Sequence, residues 1–113
     1  MTNDDSCDLA SRECVPCRGG VPPLTPEERA TLLERLDGWE VVDEHHLGKN
    51  YSFADFREAL AFVNRVGEVA ESNGHHPDLE LGWGRVRIEI FTHKIDGLTE
   101  SDFILAAKCD QVE

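Results

Sequence analysis

The sequence has no long apolar run and few basic residues. No stretch approaches the roughly 18 consecutive apolar residues that suggest a membrane span, and no basic-then-apolar segment marks a secretion signal at the N-terminus. Only 11 lysines and arginines stand against 23 aspartates and glutamates, so the formal net charge is -12. Because an acidic surface repels phosphate backbones, nucleic acid is not an expected direct partner. We therefore expect a soluble, cytoplasmic protein with no membrane partner.

The chain is also short and carries few cysteines. Its 113 residues allow one domain, and an apolar fraction of 40% is enough for one small core. Residues 1–24 show no hydrophobic period and are rich in Asp, Cys, Gly and Pro, which predicts a flexible N-terminal arm before a domain at 25–113.

Three of the four cysteines, Cys7, Cys14 and Cys17, lie in this arm, and Cys109 is near the C-terminus. Without a secretion signal, a disulfide framework is not expected. Cys14 and Cys17 form a CxxC pair, but no second pair follows to complete a four-ligand zinc site. The Gly- and Pro-rich segment after it does not fit a thioredoxin-like motif. We interpret these cysteines as free thiols, with zinc or another soft metal as the alternative.

Three helices are indicated by pairs of residues with the spacing of a capping box: Thr25 with Glu28, Ser52 with Asp55, and Thr99 with Asp102. The middle helix shows apolar residues at helical spacing: Phe56, Ala59, Leu60, Val63, Val66 and Ala70. Asn73-Gly74 ends it, because both residues tolerate the left-handed backbone of a helix end.

Four strands are predicted between these helices from alternating apolar residues, near 39–42, 47–53, 79–83 and 86–93. The gaps within each pair of strands have the length of a hairpin. This favours an α+β fold in which three helices cover one face of an antiparallel four-stranded sheet, in the order α-β-β-α-β-β-α. The other face of the sheet is left for solvent or another subunit.

Histidines form the candidate site. His75-His76-Pro77 follows the end of the middle helix, and His93 ends the last strand pattern. Histidine titrates near neutral pH, so three imidazoles that meet in one cleft would suit proton transfer. The other pair, His45-His46, lies in a predicted polar hairpin loop, and we interpret it as solvated and without chemistry.

Two other kinds of chemistry were weighed against proton transfer. Three histidines can hold zinc or iron, but adjacent histidines with a partner 17 residues beyond His76 match no usual ligand spacing. A serine or cysteine nucleophile is not excluded by spacing, yet no serine lies in a GxSxG context. Proton transfer by histidine alone is the simplest remaining chemistry, and it needs no metal.

The spacing of these residues resembles that of the pterin-4a-carbinolamine dehydratases. The family pattern is an acidic residue, then His-His-Pro, an aromatic residue, a histidine and an aspartate; here it is formed by Glu71, His75-His76-Pro77, Trp83, His93 and Asp102. Gly38-Trp39 and Gly97-Leu98-Thr99 also look like the family. The resemblance covers about residues 25 to 112.

The resemblance implies a dehydratase, a lyase that converts 4a-hydroxytetrahydropterin to quinonoid dihydropterin and water in tetrahydrobiopterin recycling. It implies His75 and His93 as acid and base, with His76 orienting or sharing protons. The residues expected to border the pterin are Gly74, His75, His76, Phe91, Thr92, His93 and Lys94. A homodimer or homotetramer is also implied. The alternative is a non-catalytic binding, dimerisation or assembly-chaperone protein of the same fold.

Three residues of the pattern are given smaller roles. Glu71 either orients a histidine or is simply exposed, and Asp102 is interpreted as a favourable charge in the first turn of a helix. Trp83 is interpreted as packing at a strand end, with stacking on the pterin as the alternative. Gly74 and Lys94 depart from the residues common in the family, which bears on substrate preference more than on reaction type.

Overall fold

A computed structural model describes residues 23–113, so the predicted arm and its three cysteines lie outside the described residues, apart from 23 and 24. Three helices are present: α1 at Pro26–Leu33, α2 at Phe56–Asn73 and α3 at Glu100–Gln111. The four strands are β1 at Glu40–Val42, β2 at His46–Ser52, β3 at Asp78–Gly82 and β4 at Arg85–Ile90. A short 3-10 helix, His93–Ile95, follows β4. This is the predicted order, and the α+β class is confirmed. No helix within 23–113 is long and apolar enough to cross a membrane.

The sheet has the order β1-β2-β4-β3, and every neighbouring pair is antiparallel. One face of the sheet is buried, as β4 illustrates. Val86, Ile88 and Ile90 have no exposed surface, whereas the residues that alternate with them are not buried. Phe62 of α2 packs on this covered face, with its ring centroid 4.6 Å from that of Tyr51 on β2. The core therefore lies between the sheet and the helices.

Two of the three predicted capping boxes are confirmed, at Thr25 and at Thr99. The middle one was wrong, because Ser52 is still in β2, paired with Arg85. Asp55 caps α2 instead, and its Oδ1 accepts a hydrogen bond of 2.9 Å from the backbone N–H of Glu58.

The predicted apolar side of α2 needs a similar correction. Phe56 and Leu60 are 45% and 40% exposed, whereas Phe62, which was not in the predicted stripe, is fully buried. Phe62 lies one turn after Ala59 and one turn before Val66, so it belongs to the same buried row. This row is the side of α2 that faces the core.

The first hairpin turn also differs from expectation. Asp43 and Glu44 have left-handed backbones, with φ values of 53° and 56°, and this tight turn brings His46 into β2 opposite Val42. The predicted loop 43–46 is therefore shorter by one residue. Trp83 lies in the turn after β3, and 71% of its surface is exposed. The prediction that it packs at a strand end was therefore wrong.

The last helix is fastened to the sheet by Asp110. Its carboxylate accepts hydrogen bonds from the Trp39 indole at 3.0 Å, the Lys49 ammonium at 2.8 Å and the Tyr51 hydroxyl at 2.5 Å. Burial and the Asp110 carboxylate raise the pKa of Tyr51 well above its ordinary value. These contacts fix α3, whose first turn contributes to the candidate site.

Candidate active site

His75 is directed into the protein by the end of α2. Gly74 ends that helix with a left-handed backbone, φ 64°, and the backbone N–H of His75 donates to the carbonyl of Ala70 at 3.2 Å. The His75 side chain is only 13% exposed. Its Nε2 lies 2.5 Å from Oδ1 of Asp102 on α3.

Asp102 is a fully buried carboxylate that is supplied with donors. Its Oδ2 accepts hydrogen bonds from the backbone N–H of Thr99 and from Oγ1 of Thr92, both at 2.8 Å. Together with His75, these make three partners, which is what a buried negative charge requires. The carboxylate therefore holds three segments together: the loop after α2, the segment after β4 and the first turn of α3.

This contact determines which nitrogen of His75 is available for chemistry. Nε2 must carry a hydrogen in order to donate to the carboxylate of Asp102. Nδ1 is the ring nitrogen that is not committed to Asp102, so it can take up or release a proton. The buried carboxylate stabilises the imidazolium that forms when Nδ1 is protonated.

His93 lies on a small loop that is attached to the Asp102 carboxylate through Thr92. Thr92, which donates to Asp102, is followed directly by the 3-10 helix His93–Ile95. A bridge between Thr92 and Gly97 closes the loop, with the Thr92 N–H donating to the Gly97 carbonyl at 2.8 Å. His93 is exposed, and its ring centroid is 4.1 Å from that of Phe91.

His76 occupies a more open position. Its Nε2 lies 2.8 Å from Oε1 of Glu71, and the two side chains are 61% and 81% exposed. Glu71 was expected either to orient a histidine or to be exposed. It is exposed, and it also contacts a histidine. Asp102 and Thr92 connect His75 to the loop of His93, whereas His76 reaches this region only as the neighbour of His75.

The remaining predicted pterin contacts fall into two groups. Gly74, Phe91 and Lys94 have open or partly open positions; a Cβ placed on Gly74 would meet no atom within 4 Å. Thr92 is only 2% exposed as a whole residue, and its hydroxyl is bonded to Asp102.

Asp102 and His45 are the residues that sequence reasoning undervalued. Asp102 is in the first turn of α3, as predicted, but its contact with His75 is the larger role. The view of His45 and His46 as solvated was wrong: their side chains are 31% and 17% exposed, and both contact carboxylates. For Asp102 the signal was present in its position after His93; for His45 only the fold reveals the contact.

Within the described part of the chain, no group of three or more His, Cys, Asp or Glu side chains is arranged to hold a metal ion. Four histidines are instead paired one by one with carboxylates: His75 with Asp102, His76 with Glu71, His45 with Asp96 and His46 with Glu89. Pairs of this kind orient imidazoles and suit them to proton transfer.

The chain is similar over most of its length to known proteins. The family model described as pterin 4 alpha carbinolamine dehydratase matches residues 22–112. A protein of Rubrobacter xylanophilus, provisionally named a pterin-4-alpha-carbinolamine dehydratase, is 65% identical over 105 residues, which is 93% of this chain and 98% of that protein. A protein of Methylococcus capsulatus with the same provisional name is 50% identical over 109 residues, 96% of each chain.

Solved structures agree in fold. A crystal structure described as a transcriptional coactivator/pterin dehydratase from Brucella melitensis has a TM-score of 0.76 and 33% identity, covering 80% of this chain and 98% of that one. A pterin dehydratase-like protein described as a RuBisCO assembly factor in the alpha-carboxysome has a TM-score of 0.58 and 23% identity, covering 67% of this chain and 89% of that one. The second likeness concerns the fold alone.

Proposed function

We propose, from the premise that the chain belongs to the pterin 4 alpha carbinolamine dehydratase family, that it removes water from a 4a-hydroxytetrahydropterin by histidine acid-base catalysis. Membership makes it a hydro-lyase. The product is the quinonoid dihydropterin. The observation that carries the mechanism is the 2.5 Å contact between His75 and the buried carboxylate of Asp102.

The reaction needs two proton transfers and no redox step. The carbon–oxygen bond to the 4a hydroxyl breaks, and the oxygen leaves as water after it receives a proton. The neighbouring ring nitrogen loses its proton, and its electrons form the new carbon–nitrogen double bond. Because every step moves only protons and water, the proposed reaction needs neither a metal nor an organic cofactor.

The surroundings of the histidines support a division of roles. In our proposal, Nδ1 of His75 takes the proton from the ring nitrogen, because Asp102 stabilises the imidazolium that results. His93, exposed on the neighbouring loop, delivers a proton to the leaving hydroxyl. His76, held by Glu71 at the open side, orients the substrate or exchanges protons with solvent.

The remaining substrate contacts of the proposal come from both segments. Gly74, the Phe91 ring and Lys94 border the flat heterocycle, and the buried Thr92 supports this border through its bond to Asp102. Gly74 is suited to this position, since the space beside its Cα is open. Lys94 is exposed and supplies a cation next to His93.

We further propose that the protein works in the cytoplasm as a homodimer or homotetramer, in the recycling of tetrahydrobiopterin. Support for association comes from four large apolar side chains that remain exposed: Phe56, Leu60, Leu81 and Trp83. A non-catalytic assembly or dimerisation role is the alternative, since a protein of the same fold is described as an assembly factor. The His75–Asp102 pair favours catalysis, because binding alone does not require it.

The direct test is to add purified protein to a freshly generated 4a-carbinolamine pterin and follow its breakdown by ultraviolet absorbance. We expect a rate that rises linearly with protein concentration. A rate no faster than the uncatalysed breakdown would refute the proposed function and favour the binding role.

A further inference from the structure

His45 is presented by a rigid hairpin turn toward the loop that carries His93. Asp43 and Glu44 form the turn with left-handed backbones, and the N–H of His45 closes it by donating to the Val42 carbonyl at 2.9 Å. The imidazole of His45 is therefore held by the sheet. It stands across from residues 91–97, which are distant in the sequence.

Two contacts join His45 to this loop. Its Nε2 lies 2.6 Å from Oδ1 of Asp96, and its ring centroid is 4.4 Å from that of Phe91. The Phe91 ring in turn lies 4.1 Å from the ring of His93. The Phe91 side chain thus contacts both imidazoles. A shift of the His45 ring would therefore move Phe91, against which the His93 ring packs.

Asp96 is the residue at which this loop reverses. It caps the 3-10 helix with a left-handed backbone, φ 53°, and its N–H donates to the His93 carbonyl at 3.3 Å. The Thr92–Gly97 bridge closes the other end of the loop. Asp102 holds the loop through Thr92, and His45 holds it through Asp96.

We propose that His45 is a positioning residue that, through Asp96 and Phe91, sets the orientation of His93 for proton transfer. The inference rests on the proposed role of His93 and adds a residue to that site. His45 does not touch the reacting atoms. Its effect is on the geometry of His93, which does touch them. A misplaced catalytic group reduces the rate of the chemical step.

The neighbouring His46 also contacts His45, and the two Nδ1 atoms are 3.2 Å apart. The Nε2 of His45 lies 2.6 Å from Oδ1 of Asp96, whereas the Nε2 of His46 lies 3.6 Å from Oε2 of Glu89. Arg87 also faces Glu89, at 3.1 Å.

The contact with Asp96 is too exposed to matter much for folding. Asp96 is 84% exposed, and ion pairs in contact with solvent add little to the free energy of unfolding. A change in catalysis without a change in stability is therefore the mark of positioning. If the role of His45 were merely structural, its replacement would instead lower the urea concentration at the midpoint of unfolding.

The test compares two amides at one position. In His45→Gln the amide nitrogen takes the place of Nε2 and can still donate to Asp96, whereas the amide of His45→Asn reaches only the place of Nδ1. Asp96→Gly removes the acceptor and keeps the left-handed backbone without strain. Glu44→Gln is the matched control, because its carboxylate is in the same turn but pairs with Arg29 on α1.

We expect kcat to fall about 10-fold in His45→Asn and Asp96→Gly, with KM within about 2-fold of wild type, and both constants to be nearly unchanged in His45→Gln and Glu44→Gln. Without substrate, the Thr92 and Gly97 amide hydrogens should exchange about 5-fold faster in the two impaired variants. Equal kcat in the Gln and Asn variants, or wild-type exchange in Asp96→Gly, would overturn the proposal. If the wild type has no activity, the proposed function fails and the exchange rates alone decide whether His45 holds the loop.

Discussion

Nε2 of His75 lies 2.5 Å from Oδ1 of Asp102, and the two residues are 27 positions apart in the chain. The carboxylate is fully buried, and the imidazole is only 13% exposed. Such a pair fixes the ring and makes one nitrogen available, which is the arrangement that acid-base catalysis requires. The same carboxylate holds Thr92, and so the backbone that leads into His93.

Replacing Asp102 with Asn should lower kcat by about 10²-fold, with a smaller change in KM. The amide oxygen can still accept from His75, but the negative charge that stabilises the imidazolium is lost, and the amide nitrogen cannot accept from the Thr99 N–H as Oδ2 does. Steady-state kinetics with the carbinolamine substrate measures this. Glu100→Gln, which removes an exposed carboxylate from the same helical turn, is the control. Wild-type kcat in Asp102→Asn would show that the carboxylate has no part in catalysis.

His75→Ala and His93→Ala should each reduce kcat by about 10²-fold or more, as expected when a general acid or base is removed. His76→Ala should have a smaller effect, since His76 is 61% exposed and its Nε2 pairs with the exposed Glu71. Single-turnover rates for the three variants give the comparison. The assignment is incorrect if His76→Ala proves the most damaging of the three.

Tyr51 should remain un-ionised in the folded protein well above pH 10. Burial and Asp110 raise its pKa, so above the ordinary value near 10 the unfolded chain loses this proton and the folded chain keeps it. The contribution of Tyr51 to stability is complete below pH 10 and is lost as the pH rises further. Tyr51 is the one tyrosine of the chain, so phenolate absorbance reports it directly.

In an alkaline titration, we expect phenolate to appear together with the loss of folded structure, followed by circular dichroism. Tyr51→Phe should remove the part of the alkaline instability that comes from this group, while also losing the hydrogen bond to Asp110. Phenolate formation near pH 10 in a protein that is still folded would contradict the prediction.

Gly74→Ala and Gly67→Ala should have opposite effects on stability. Gly74 has a φ of 64°, so alanine there should lower the free energy of unfolding by about 1–2 kcal/mol, although the space beside it is open. Gly67 is exposed within α2 and also meets no atom within 4 Å, so alanine there should raise it by about 0.5–1 kcal/mol. Urea unfolding measures both. Stabilisation by Gly74→Ala would mean that the backbone at this helix end is not left-handed.

Much of the fold could be read from local patterns. Alternation in β4, the capping boxes at Thr25 and Thr99 and the stop at Gly74 all depend on residues a few positions apart, and the structure confirms them. One error came where two local signals competed. Ser52 has the spacing of a helix cap, yet its pairing with Arg85 keeps it in β2, and Asp55 takes the cap.

The sequence by itself determined the order of the elements and the histidines on which the proposed chemistry depends, because periodicity, caps and the His-His-Pro motif are local properties of the chain. Only the tertiary structure decided that Asp102 is the partner of His75 and that His45 contacts the loop of His93. These contacts join segments 27 and 51 residues apart. They arise because the antiparallel sheet and α3 bring those segments together, and spacing along the chain does not encode such a distance.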